Sequence, residues 1–158
     1  MPGKEHTLPR GSPLVIPRLV CRDPDAEVDF CVKVLGAAEG VRRRGADGRT
    51  AHAAVLFGPA MVMIEGEWPQ VPSRAPRPDG SSPVVVYLYV TDVDAVVERA
   101  GAAGARVLIP ATDQFWGDRT AWLVDPAGHV WTLATRVEET TEAQRQDRLS
   151  RLNAKPPE

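Results

Sequence analysis

Apolar positions recur in this chain in two ways, as short nearly continuous runs and as stripes three or four residues apart, and the two kinds follow one another in the same order twice. Residues 14–21 are dominated by branched apolar side chains and predict a buried strand, with Pro17 at an edge or irregularity. Asp23-Pro24 then marks a helix start, because Asp suits the N-cap and Pro the first helical position. Val28, Cys31, Val32 and Leu35 form the apolar stripe of that helix, which ends at Gly36. Three strands are expected between 37 and 65, separated by Gly45-Ala46-Asp47-Gly48 and by Gly58-Pro59. The first pattern is therefore β-α-β-β-β, with the helix covering one face of the sheet.

A linker over 66–82 carries Pro69, Pro72, Pro76 and Pro78 and interrupts regular structure. The second pattern opens with a strand from Val84 to Val90. Thr91-Asp92 leads a helix with the face Val93, Val96, Val97 and Ala100, closed by Gly101 or Gly104. Its strands are expected at 106–109, 115–124 and 130–135, the last two joined by the turn Asp125-Pro126-Ala127-Gly128. The copies align at an offset of 69, Pro17 through Asp23 against Val86 through Asp92 and Met63 against Thr132, with Thr50-Ala51 answering Thr120-Ala121 at 70. Such a repeat fixes architecture before any single residue is interpreted. The expected organisation is a flexible leader (1–13), one domain (14–137) of modules 14–65 and 83–137, and a helical tail (138–158) anchored by Leu149 and Leu152.

Composition narrows the functions available. The 158 residues suit one domain, and 43% hydrophobic with 25% charged residues is ordinary for a globular chain. A net charge of −2 supplies no large positive field for nucleic acid or an anionic membrane. Arg42-Arg43-Arg44 is the local exception, and short charge runs of this kind are more often solvated strand ends than phosphate sites. Cys21 and Cys31 fall in a strand and a helix and form no paired framework. No signal-peptide core and no membrane-spanning run is visible, so a cytoplasmic location is expected.

Asp29-Phe30, Val34-Leu35-Gly36-Ala37, Phe115-Trp116-Gly117-Asp118-Arg119 and Asp125-Pro126-Ala127-Gly128-His129-Val130-Trp131, set in two tandem β-α-β-β-β units, resemble the vicinal oxygen chelate superfamily. This is the glyoxalase, bleomycin-resistance and ring-cleaving dioxygenase group, and the C-terminal strings look like its PhnB-like branch. The resemblance covers about residues 14–137. It implies an α+β fold whose curved sheets form a small-molecule cup with helices outside, commonly in a homodimer. In the metalloenzymes of the group, His or Glu near the start of each first strand and Glu or a similar residue in each last strand hold a divalent ion. The pseudo-equivalent positions here are Pro17, Val86, Met63 and Thr132. None is a competent ligand of that kind, and no His or Glu lies between Leu8 and Glu27 or between Glu67 and Glu98 to replace them. No metal and no other cofactor is therefore expected, the one conceivable donor set being His52, Glu65 and His129.

Without metal ligands the cup floor is apolar and suits a flat organic ligand. Met63, Trp68, Phe115, Trp116, Trp122 and Thr132 are the candidate ligand contacts, Phe115 and Trp116 at the rim where a strand begins and Trp68 as lid or loop anchor. Trp131, Tyr87 and Tyr89 have the opposite strand parity and are expected to pack toward the helices. His52 is the candidate catalytic acid or base, against the ordinary reading of a structural histidine. Asp118 and Arg119 are expected either as a rim pair or as a local salt bridge. Two functions follow. One is a metal-independent protein that sequesters an aromatic or polycyclic metabolite, as antibiotic-resistance proteins do. The other is a lyase, isomerase or cyclase of the same fold acting on a secondary metabolite, with or without a divalent metal, and with His52 as acid or base.

Overall fold

The computed structural model describes residues 9–77, 79 and 81–154. Positions 1–8 of the expected leader, Pro78 and Gly80 of the linker region, and the last four residues of the tail lie outside that set. The chain divides into two compact units between Pro76 and Arg77.

The first unit contains β1 (Arg18–Val20), α1 (Pro24–Lys33), β2 (Ala38–Arg44), β3 (Thr50–Phe57) and β4 (Ala60–Glu65). Its sheet has the order β1-β4-β3-β2, with β1 parallel to β4 and the other pairs antiparallel. The second unit repeats this with β5 (Val85–Tyr89), α2 (Val93–Ala102), β6 (Arg106–Asp113), β7 (Asp118–Val124) and β8 (Val130–Arg136), in the order β5-β8-β7-β6. It adds α3 (Glu142–Asn153). The two mixed four-stranded sheets with outlying helices agree with the α+β expectation. Among the described residues no helix is long and apolar enough to cross a membrane.

Both helix starts are built as their sequences require. Asp23 accepts a hydrogen bond from the Ala26 amide at 3.2 Å, and Asp92 accepts one from Ala95 at 3.0 Å, each satisfying an otherwise orphaned amide of the first turn. Leu19, Ala53, Val55 and Ile64 are buried on the α1 side of the first sheet with Val28 and Cys31. Ala121, Leu123, Trp131 and Leu133 occupy the matching places beneath Val93, Val96 and Ala100 of α2. The Trp131 indole N–H also donates to Asp125 at 2.7 Å, tying the core to the turn before β8.

Register corrects the repeat in two places. The partner of Met63 across β1 and β4 is Arg18, and the partner of Thr132 across β5 and β8 is Tyr87. The positions beside the last strands are thus Arg18 and Tyr87, one residue beyond Pro17 and Val86. Across the neighbouring strands Ala54 faces Met63 and Trp122 faces Thr132, an offset of 68 rather than the 70 suggested by the Thr-Ala pairs. Since strand side chains alternate, a slip of one residue exchanges the two faces.

Candidate functional site

That slip decides where the aromatic residues go. Tyr87 and Tyr89 lie on the face away from α2, with Thr132 and Ala134, whereas Trp131 packs beneath the helix. Tyr87 and Tyr89 are therefore not helix-side residues, although Trp131 is. Phe115 and Trp116 do not begin a strand either. They occupy the turn between β6 and β7, closed by Gly117 at φ +92. A side chain at Gly117 would collide with the Glu138 carbonyl oxygen, while the Gly117 carbonyl accepts the amides of Val137 and Glu138, both at 3.0 Å. Glycine there lets the aromatic turn and the segment leading to α3 touch backbone to backbone.

Asp118 organises the site. Its side chain is almost wholly buried, and Oδ2 accepts hydrogen bonds from the hydroxyls of Tyr87 and Tyr89, both at 2.8 Å, and from the Trp116 indole N–H at 3.0 Å. Arg136 Nε approaches Oδ1 at 2.6 Å, a charge contact that lacks the alignment of a hydrogen bond. Burial by itself raises the pKa of this carboxyl. The bonds from Tyr89 and Tyr87, the Arg136 charge and the Trp116 N–H together outweigh burial and hold it below the usual carboxylate range. The Tyr87 phenol is pushed up, first by burial and then by its bond to the Asp118 carboxylate.

Above this anchor is a hollow of about 510 Å³, within the usual size of small-molecule sites. The sheet and turn contribute Tyr87, Tyr89, Phe115, Trp116, Asp118 and Arg136. The tyrosine rings are 5.3 Å apart and tilted by 58°, and Phe115 meets Trp116 edge to face at 4.9 Å. The other wall is α3, through Glu142, Arg145, Gln146 and Leu149. Thr141 and Gln144 form a capping box at the start of this helix, but none of its residues is buried. Polar contacts hold it. The Thr140 hydroxyl donates to the Trp116 carbonyl at 2.8 Å, and Arg148 reaches the Phe115 carbonyl at 3.2 Å while pairing with Glu138 at 2.6 Å.

The same face of the first unit carries a different set. His52 Nδ1 is 2.7 Å from Glu65 Oε1, and Arg18 is 3.4 Å from Oε2 of the same buried carboxylate. Met63 and Ala54 lie beside them by register. Trp68 is half exposed in the loop after β4, where Glu67 and Arg74 bond neighbouring backbone. The arginine run behaves as a strand end. Arg42 pairs with Asp25, Asp29 and Glu39, and Arg44 with Asp25. Asp25 is lowered to about 2, first by the Thr50 hydroxyl at 2.6 Å, then by the Thr50 amide, with Arg42 adding to the effect.

The register positions implied for a metal hold Arg18, Met63, Tyr87 and Thr132, that is a guanidinium, a thioether, a phenol and an alcohol. These do not fit a divalent ion of the superfamily kind. His52 and Glu65 are joined, but Arg18 occupies the other carboxylate oxygen. His129 is buried just before β8, its amide bonded to Asp125. Among the described residues no group of three or more His, Cys, Asp or Glu is placed to hold an ion.

Of the sequence candidates, the second unit brings Phe115 and Trp116 together on the hollow. Trp122 and Thr132 share its sheet face by register without lining it, and His52, Met63 and Trp68 belong to the first unit. The sequence reading missed Tyr87, Tyr89 and Arg136, and it underrated Asp118, which does not pair with Arg119. Arg119 instead grips Asp94 of α2 at 2.8 and 2.9 Å and Asp113 at 2.9 Å. The two-residue spacing of Tyr87 and Tyr89 was the available signal. For the α3 wall the sequence offered a helical tail with Leu149 as an anchor, and nothing that set it beside the aromatic turn.

Residues 11–133 match the Glyoxalase/Bleomycin resistance protein/Dioxygenase superfamily. An uncharacterized protein of Mycobacterium tuberculosis (strain ATCC 25618 / H37Rv) is 40% identical over 141 residues, 87% of this chain and 83% of that protein. Among solved structures, TioX from Micromonospora sp. ML1 is 31% identical with a TM-score of 0.62, covering 79% of this chain and 99% of its own. TnmS3, an antibiotic binding protein from Streptomyces sp. CB03234, shares the fold at 23% identity and a TM-score of 0.59, covering 79% of this chain and 96% of its own.

Proposed function

Because the chain belongs to the Glyoxalase/Bleomycin resistance protein/Dioxygenase superfamily, whose members generally bind small molecules, we propose that it binds an aromatic or polycyclic metabolite without a metal, in the hollow of its second unit. The observation that carries this reading is the set of four aromatic side chains around one hollow, three of them fixed by the Asp118 carboxylate. Rings held in place before binding lose little freedom on contact, so stacking and burial convert efficiently into affinity. The antibiotic-binding likeness of fold to TnmS3 favours sequestration of a secondary metabolite, and the Phe115 to Arg119 string favours the PhnB-like branch. Buried cysteines outside any disulfide, Cys21 and Cys31, suit a cytoplasmic protein, and exposed Val107, Leu108 and Ile109 on β6 suit a homodimer, which sedimentation would test.

Fused-ring aromatics titrated against the protein with equilibrium dialysis provide the test. The expected result is saturable binding, unaffected by a chelator, recovery of unchanged ligand, and about tenfold weaker binding in Trp116→Leu. Binding that ignores this substitution removes the hollow from consideration.

One geometric fact favours a second reading. Glu65 fixes the His52 ring through Nδ1, the arrangement that orients an imidazole for proton transfer at its other nitrogen. A lyase, isomerase or cyclase acting through His52 predicts conversion of ligand that is lost in His52→Ala and retained after chelation.

A further inference from the structure

The hydrogen-bond inventory of the hollow narrows the ligand class. A Tyr hydroxyl has one donor and two acceptor sites, and an indole has a donor only. The hydroxyl hydrogens of Tyr87 and Tyr89 and the Trp116 N–H are all directed to Asp118 Oδ2. The three natural donors of the aromatic wall are therefore already engaged. The phenol oxygens remain as acceptors, that of Tyr89 taking one bond from Arg136 at 3.3 Å and that of Tyr87 lying near the Trp116 N–H, which is itself directed to Asp118, so that each oxygen keeps an acceptor site.

Charge gives the same direction. Arg136 lies against Asp118 at 2.6 Å and Glu139 at 3.7 Å. On α3, Arg145 uses Nε and Nη2 on Thr140, both at 2.9 Å, and its Nη1 is 3.5 Å from Glu142. Each cation at the hollow already faces a carboxylate, so an acidic ligand meets no unshared positive charge. A ligand without donors would cover the remaining acceptor site of the Tyr87 oxygen without filling it, which is unfavourable.

We infer that the hollow selects flat rings bearing hydroxyl or N–H donors, such as phenols, over their ethers and over aromatic carboxylates. This rests on the proposed aromatic site. The Tyr87 phenol oxygen is the acceptor that reads the donor, and the Asp118 carboxylate fixes its direction by holding the phenol hydrogen. The elevated Tyr87 pKa agrees with a hydroxyl that keeps this hydrogen.

Equilibrium dialysis of the full chain against 2-naphthol, 2-methoxynaphthalene and 2-naphthoate separates the possibilities. The naphthol is expected to bind about tenfold more tightly than either of the others, the effect of one well-made hydrogen bond, although the ether is the more apolar. In Tyr87→Phe the difference between naphthol and ether is expected to vanish, the naphthol weakening while the ether, no longer covering a phenol oxygen, binds no less tightly than before. Tyr87 is half exposed, and a retained circular dichroism spectrum checks the fold of the variant. Equal binding of all three, or a naphthol preference that survives in Tyr87→Phe, overturns the donor rule and leaves the aromatic site standing. Failure of all three to bind overturns both.

Discussion

The two units have one strand order and the same pairing of first with last strand, yet the faces their helices leave uncovered carry different chemistry. In the first, Arg18 and Met63 are partners, with Glu65 between Arg18 and His52. In the second, Tyr87 and Thr132 are partners, and Asp118 gathers three ring donors and an arginine. A buried carboxylate serves both faces. In one it ties polar side chains to each other, and in the other it fixes apolar surface with polar tips. The scaffold therefore sets where side chains stand, while the residue types on the uncovered face decide whether a site is a polar pair or an aromatic receptor.

The largest break in this comparison is expected in the cores. Trp131→Ala removes a fully buried ring and its bond to Asp125, and should cost about 4 kcal/mol by urea unfolding, against about 2 kcal/mol for Val62→Ala at the matching place in the first unit. Next comes the anchor. Asp118→Ala leaves Arg136 and three ring donors without their acceptor and should cost about 3 kcal/mol, together with most of the affinity for aromatic ligands. Glu65→Gln in the first unit should cost about 1 kcal/mol and leave that affinity intact. Equal losses of affinity in the two variants would remove the distinction between the faces.

Acid should act on both units through depressed carboxylates, Asp25 in the first and Asp118 in the second. A carboxyl whose folded pKa lies below its unfolded value contributes stability that is present above the unfolded value, near 4, and lost as pH falls through the folded one. For Asp25 that window runs from about 4 down to about 2. The urea midpoint should fall across this window in the wild type and change less in Asp25→Asn. At high pH the sign reverses for Tyr87, whose raised value makes its contribution present below about 10 and lost as pH rises through the folded value. The smallest effect is expected from Arg43→Ala, within about 0.5 kcal/mol, because Arg43 is exposed beside the paired Arg42 and Arg44.

The strand and helix pattern, the Asp-led helix starts and the duplicated order were legible because each depends on neighbours a few residues apart. Apolar spacing predicts which face of α1 and α2 is buried, and Asp23 and Asp92 cap amides three positions on. The failure of Arg18, Met63, Tyr87 and Thr132 to supply metal ligands was legible too, since slipping the alignment by one residue exposes no His or Glu. Phe115 and Trp116 were chosen as rim contacts because a strand was expected to begin there, whereas the structure sets them in the turn before β7 beside the hollow. Tyr87 and Tyr89 were assigned to the wrong face because the strand register was read one residue early, and with period two that is enough to reverse them.

What the sequence by itself determined is thus the duplicated β-α-β-β-β scaffold and the want of a His or Glu at the pseudo-equivalent positions of its first and last strands. The tertiary structure alone decided that Asp118 gathers groups from β5, the turn and β8, and that α3, mostly polar, walls the hollow. Capping and periodicity act over a single turn or strand and leave a local pattern. A carboxylate that joins residues 31 positions apart leaves none until the strands have paired.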